Sequence, residues 1–143
     1  MVNIPEKLTK PYDPAGTEGR MYALWTESGF FNPDNLPARH QEPFTIIMPP
    51  PNANGRLHAG HALTIALEDI MTRYQRMQGK RALWVPGADH AGFETQVVYE
   101  KKLEKEGRSR FKMDRQDLYN EIMAFTLDSK KHMEADEKAL GAS

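Results

Sequence analysis

The chain has 143 residues, 39% hydrophobic and 27% charged, with a formal net charge of −1. That length suits one ordinary domain with a modest core, and the charge balance argues against a generally basic, nucleic-acid-coating surface, though not against a local patch. Cysteine is absent, which excludes disulfides and thiolate metal sites. No apolar run is long enough for a membrane span. Met1 to Lys7 lack an apolar signal core, so no secretory leader and a cytoplasmic location are expected. No repeat or low-complexity segment interrupts the chain.

Pro5, Pro11 and Pro14 predict an extended entry. Pro14 suits a first helical turn with Asp13 as its N-cap, and a helix is predicted over 15–28 with Met21, Leu24, Trp25 and Ser28 on one face. Gly16 and Gly19 weaken it, and Gly29 is the expected C-cap. After a polar loop, Phe44 to Met48 reads as a short strand, apolar on both faces as in a buried parallel sheet, stopped by Pro49-Pro50-Pro51. Asn52 to Leu57 is turn-like, with Gly55 the expected left-handed residue. From about His58 the pattern is helical. Leu63, Leu67, Ile70, Met71, Tyr74 and Met77 recur every three or four residues as the expected inner stripe, and Gly79 closes the helix.

Arg81 to Val85 reads as a second strand, completing a strand–helix–strand unit of the length of a right-handed parallel crossover. A helix over 93–106 places Val97, Val98 and Leu103 inward, with Gly107 as its cap. Asp114 opens a last helix with Leu118, Ile122, Phe125 and Ser129 inward. Residues 99–143 carry ten Lys/Arg and ten Asp/Glu. Beyond Lys130 the apolar content thins, so helix and partly ordered tail both remain open.

In an open α/β sheet, ligands bind beyond the carboxyl ends of the strands. The first strand leads into a helix start, where free N–H groups and the helix dipole favour anions. His58 and His61, three apart, share a face there, and Gly60 between them admits a close approach. The pattern fits a phosphate and nucleotide cradle built without a Walker A or Gly-x-Gly-x-x-Gly string. At the second strand end, Asp89 offers a carboxylate for an ammonium group. The plainer readings are a surface role for the histidines, a helix cap for Asp89, and a zinc site from His58, His61, His90 and Asp89. Trp25, Trp84, Phe30 and Phe31 are expected in the core, and Glu100 to Arg110 as a solvated face with i,i+4 pairs.

Two strings carry a family resemblance. Pro49-Pro50-Pro51-Asn52-Ala53-Asn54-Gly55-Arg56-Leu57-His58-Ala59-Gly60-His61 resembles the first signature of the class I aminoacyl-tRNA synthetases. Gly87-Ala88-Asp89-His90-Ala91-Gly92-Phe93-Glu94-Thr95-Gln96 is similar to the second-strand block of the subgroup that charges valine. Tyr12-Asp13-Pro14, Tyr22, Trp25, Gly29-Phe30-Phe31 and Tyr74 to Lys80 fit the same subgroup, in order and with matching gaps. Ala59, Ala88 and Phe93 depart from the commonest pattern, and Asn54 is closer to the isoleucine-charging enzymes.

The resemblance implies an α/β fold: an incomplete Rossmann-like (HUP-type) parallel sheet made of the first strand–helix–strand unit, with helices before and after it. It implies an N-terminal helix and entry loop over 1–43. Residues 44–143 would be the first part of the catalytic domain, ending before the editing insertion. It also implies ATP-dependent activation of valine and, in the full enzyme, transfer to tRNA(Val). His58 and His61 would be catalytic; Asn52, His58, Gly60 and His61 would bind ATP; Pro50, Asn52 and Asp89 would bind the amino acid. Mg²⁺ would arrive with ATP, with no dedicated protein metal site. Full-length members are usually monomeric and bind no membrane. Without the second signature loop, the 143-residue chain is expected to activate amino acid weakly or not at all. The alternatives are an isoleucine-type fragment, another His-x-Gly-His nucleotidyltransferase, and a non-catalytic binding module derived from a synthetase.

Overall fold

The computed structural model describes residue 5 and residues 9–143. The leader expectation, which rests on residues 1–7, falls mostly outside them. The first helix, α1 (Pro14–Ser28), begins as expected: the Asp13 carboxylate accepts from the Gly16 N–H at 3.2 Å, and Gly29 closes it at φ 70. A Cβ at Gly16 would lie 2.5 Å from the Asp13 carboxylate and would displace it from this position. Its packing face is turned from the predicted one: Met21, Tyr22 and Trp25 are half-buried, whereas Leu24, Ser28 and Phe30 are exposed.

The strands β1 (Pro43–Ile47) and β2 (Arg81–Val85) pair in parallel, Pro43 opposite Arg81 and Ile47 opposite Val85. Between them runs α2 (Ala59–Met77), which packs against both. Parallel neighbours require such a crossover, and it places both strand ends on the same side. The expected fold class holds: a two-stranded piece of a parallel α/β sheet with helices before and after. The chain then forms α3 (Gly92–Lys105) and α4 (Arg115–Ala139, N-capped by Asp114).

Two expectations about packing are corrected, and one left open is decided. First, β1 is covered on one face only. Met48 is buried and Ile46 packs on the core, but Ile47 is 75% exposed. Second, α2 turns its other face to the sheet. Its buried residues are Ile65, Glu68 and Thr72, whereas all six of the expected inner residues, from Leu63 to Met77, are exposed. Two contacts allow this mixed face inside. The Trp84 indole N–H donates to the Glu68 carboxylate at 2.9 Å, and the Thr72 hydroxyl donates to the Glu68 carbonyl at 2.9 Å, so the buried polar groups are paired. Of the two readings left open beyond Lys130, the structure shows the helical one. Helix continues to Ala139, and Ala142 joins Met48, Ile65 and Trp84 in the core.

Smaller differences follow. Val98 points outward, and Thr95 and Tyr99 replace it beside Leu103. Residues 100–110 pair partly with α4: Arg108 and Tyr99 both donate to Glu121, while Arg110 donates to Glu100. The last helix buries Ser129 as expected, with Thr126 and Met133. The helix cap at the end of α2 is Gln78, with Gly79 following at φ 85. Among the described residues, no helix is long and apolar enough to cross a membrane.

Candidate active site

The signature loop leaves β1 at Met48, whose N–H still donates to the Val85 carbonyl at 3.0 Å. Pairing then continues past both strand ends. The Asp89 N–H donates to the Pro51 carbonyl at 2.9 Å, and the Ala53 N–H donates to the Asp89 carbonyl at 2.7 Å, making an isolated parallel bridge between Asn52 and Asp89. Pro50 lies against Gly87, where a Cβ would come 3.5 Å from its own. The two loops singled out in the sequence are therefore joined along their backbones. Gly55 does not have the expected positive φ. The left-handed residue at this edge is Ala91, at φ 47. A non-glycine residue there is strained. The Asp89 carboxylate holds it by accepting from the Ala91 N–H at 2.9 Å, and the Thr95 N–H donates to the Ala91 carbonyl at 3.0 Å. Asp89 thus braces the turn into α3, whose N-cap Ala91 has no side-chain cap of its own, while the Asp89 side chain stays exposed at the strand end.

His58 is the N-cap of α2. Its Nδ1 accepts from the Gly60 N–H at 3.1 Å, and its own N–H donates to His61 Nδ1 at 3.3 Å. This is a capping box written in imidazoles. The two rings stack with centroids 3.8 Å apart, and a Cβ on Gly60 would come within 3.0 Å of the His58 ring. A larger residue at position 60 would therefore press on the His58 ring, whatever approaches from outside. Because both Nδ1 atoms accept backbone protons, each neutral ring carries its own proton on Nε2. The sequence pair thus becomes two fixed Nε2–H donors at the dipole-positive end of a 19-residue helix.

Burial, and then the neighbouring His58, hold the His61 pKa below its ordinary 6.5. A base with a depressed folded pKa favours the neutral form. Its contribution is complete above the unfolded value and is lost as pH falls through the lower, folded one. The His61 ring should therefore titrate with a midpoint below 6.5, and the His58 amide, which donates to His61 Nδ1, should move with that same midpoint. Ring and amide shifts measured by NMR against pH check this; a midpoint at or above the ordinary value contradicts it.

Two cavities among the described residues do not contain the site. One of about 1080 Å³ lies between α1 and the end of α4, and another of about 250 Å³ lies against Gly87, Ala88 and His90. Neither is lined by His58, His61, Asn52 or Asp89. Among the described residues, no three His, Asp or Glu side chains are placed to hold a metal ion, so the zinc alternative finds no ligand set there.

The family described as tRNA synthetases class I (I, L, M and V) matches residues 20–143. The chain belongs to the class I tRNA synthetases. It is similar to the valine–tRNA ligase of Clostridium acetobutylicum, 43% identical over 138 residues, which are 96% of this chain and 15% of that protein. It is also similar to the valine–tRNA ligase of Dehalococcoides mccartyi strain 195, 44% identical over 140 residues, 98% of this chain and 16% of that protein. The mitochondrial valine–tRNA ligase of Sus scrofa is 41% identical over 145 residues, 99% of this chain and 14% of that protein. This class I synthetase chain thus spans about 15% of the length of the first of these relatives.

Sequence reasoning missed the residues that hold this synthetase site from behind. On α2, the Asp69 carboxylate accepts from the Ser143 N–H at 3.0 Å and from its hydroxyl at 2.7 Å, while Arg73 donates to the Gly141 carbonyl at 2.6 Å. The Asp69–Arg73 pair is an i,i+4 pair visible in the sequence. Its long-range partners, about seventy positions away, are not.

Proposed function

We propose that this chain is the opening part of the catalytic domain of a valine–tRNA ligase, with residues 1–43 as its entry and 44–143 as the first part of the nucleotide-binding fold. The supporting observation is the Asn52–Asp89 backbone bridge, which ties the loop before the histidine pair to the loop bearing the carboxylate. The names of the relatives then point to valine.

In the proposed reaction, a valine carboxylate oxygen attacks the α-phosphorus of ATP and pyrophosphate leaves, giving valyl-adenylate. A carboxylate needs no deprotonation, so the histidines are not needed as bases. Their Nε2–H groups donate to phosphate oxygens as charge develops there. Asn52, His58, Gly60 and His61 bind ATP. Asp89 holds the α-ammonium, and Pro50, with Asn52 nearby, walls the side-chain pocket. Mg²⁺ enters with ATP as part of the substrate. Transfer to tRNA(Val), a monomeric state and a cytoplasmic location belong to the full-length protein under this reading.

Calorimetric titration with non-hydrolysable valyl and isoleucyl adenylate analogues tests the assignment. One methylene in an apolar pocket is worth roughly 10- to 200-fold, so the valyl analogue should bind tighter by about tenfold or more. Tighter binding of the isoleucyl analogue would move the chain to the isoleucine-type alternative.

A further inference from the structure

The turn that delivers His58 is anchored by a residue far from it in sequence. Arg56, two positions before His58, reaches α4 and donates through Nε to Asp136 Oδ2 at 3.2 Å and through Nη2 to Oδ1. The Asp136 side chain is only 21% exposed, although its partner is largely in solvent. The Leu57 N–H also acts on this carboxylate, and the Leu57 side chain packs on the core cluster. One carboxylate thus meets two consecutive residues, and the next residue is the N-cap.

Asp136 stands on a fixed support. A few residues further on, Gly141 to Ser143 are gripped by Asp69, Arg73 and Arg76 of α2, and the Tyr22 hydroxyl donates to the Ala142 carbonyl at 3.3 Å. The end of α4 is therefore tied to the body of the same helix whose first turn carries the histidines. On the other side, residues 51–53 are stitched to Asp89. Between these anchors, Asn54 to Leu57 form a short arch. It is held from outside the turn by Asp136 and by the packing of Leu57.

We propose that Asp136 is a positioning residue for the histidine pair: it holds the Arg56–Leu57 turn so that His58 enters α2 with its ring stacked on His61. An isolated, exposed ion pair contributes little to stability. This one instead fixes direction, because a two-pronged Arg–carboxylate contact sets geometry as well as distance. The proposal deepens the nucleotide-site reading and rests on it for the ligand measurement alone.

The test uses the 143-residue chain with Asp136→Ala and Asp136→Glu. Two quantities are read: the Cε1–H NMR signals of His58 and His61, and the affinity for the β,γ-imido analogue of ATP with Mg²⁺. Stacked rings shift each other's protons, so the ring signals report the pair's geometry directly. Asp136→Ala should displace both ring signals while the Trp84 indole signal stays in place. It should also weaken analogue binding by on the order of three- to tenfold, and Asp136→Glu should restore most of both. Unmoved ring signals in folded Asp136→Ala overturn the proposal. So does tighter analogue binding, which would make the carboxylate an electrostatic obstacle instead of a support. If Asp136→Ala does not fold, Arg56→Ala removes the exposed partner and is read in the same way. If the unmodified chain does not bind the analogue, the nucleotide reading fails, while the ring signals still decide the positioning role.

Discussion

Ile65→Ala should cost the 143-residue chain about 2–5 kcal/mol, whereas Leu67→Ala and Ile70→Ala on the same helix should each stay within about 0.5 kcal/mol. Ile65 is 1% exposed and touches the core formed with Met48, Trp84 and Ala142; Leu67 and Ile70 are 53% and 63% exposed. Deleting three carbons from Ile65 leaves a void between α2 and the sheet that neighbours fill only in part. Deleting them from Leu67 removes surface that water already touches. Total stability for a domain of this size is about 5–15 kcal/mol, so the Ile65 variant approaches unfolding. Urea titration followed by tryptophan fluorescence gives all three values. Similar costs at all three positions would mean that α2 lies on the sheet with its apolar stripe inward.

Removing the histidine pair should have the second large effect, on ligand binding. Each histidine does two things: its Nδ1 closes the capping box and its Nε2–H is free for phosphate. His58→Ala loses both, with a capping cost of about 0.5–2 kcal/mol. His58→Asn separates them. Asparagine caps a helix well but cannot place a donor where Nε2 lies. It should therefore keep the melting temperature near that of the parent while losing on the order of tenfold or more in affinity for the imido analogue of ATP. The same loss is expected for His61→Ala. The double variant should lose less than the product of the two, because stacked, cross-bonded rings are not independent. Calorimetry with a parallel melt reads this, and unchanged affinity in the double variant removes both residues from the nucleotide site.

The amino-acid sequence by itself determined what depends on near neighbours. Asp13 and Asp114 as caps, Gly29 as a stop, the prolines ending β1 and the crossover between two strands were all legible. Each is a local backbone requirement met by a residue within a few positions. The two loops that carry the candidate residues were legible for the same reason, and their spacing placed them at neighbouring strand ends. Helical periodicity could not decide the buried face of α2. That helix carries two stripes, and the richer apolar one, Leu63 to Met77, is the one left in solvent.

The tertiary structure decided for Ile65, Glu68 and Thr72. The buried indole N–H of Trp84 needs an acceptor, and Glu68 supplies one. Small Thr72 pairs its hydroxyl within its own helix and can be buried at little cost. The supports of the candidate site were equally out of reach of the sequence. Arg56 meets Asp136 eighty positions away, and Asp69 meets Ser143 seventy-four positions away. Charge pairing at such separations leaves no periodic trace. Only the folded path of α4 brings those partners to the helix that carries the histidines.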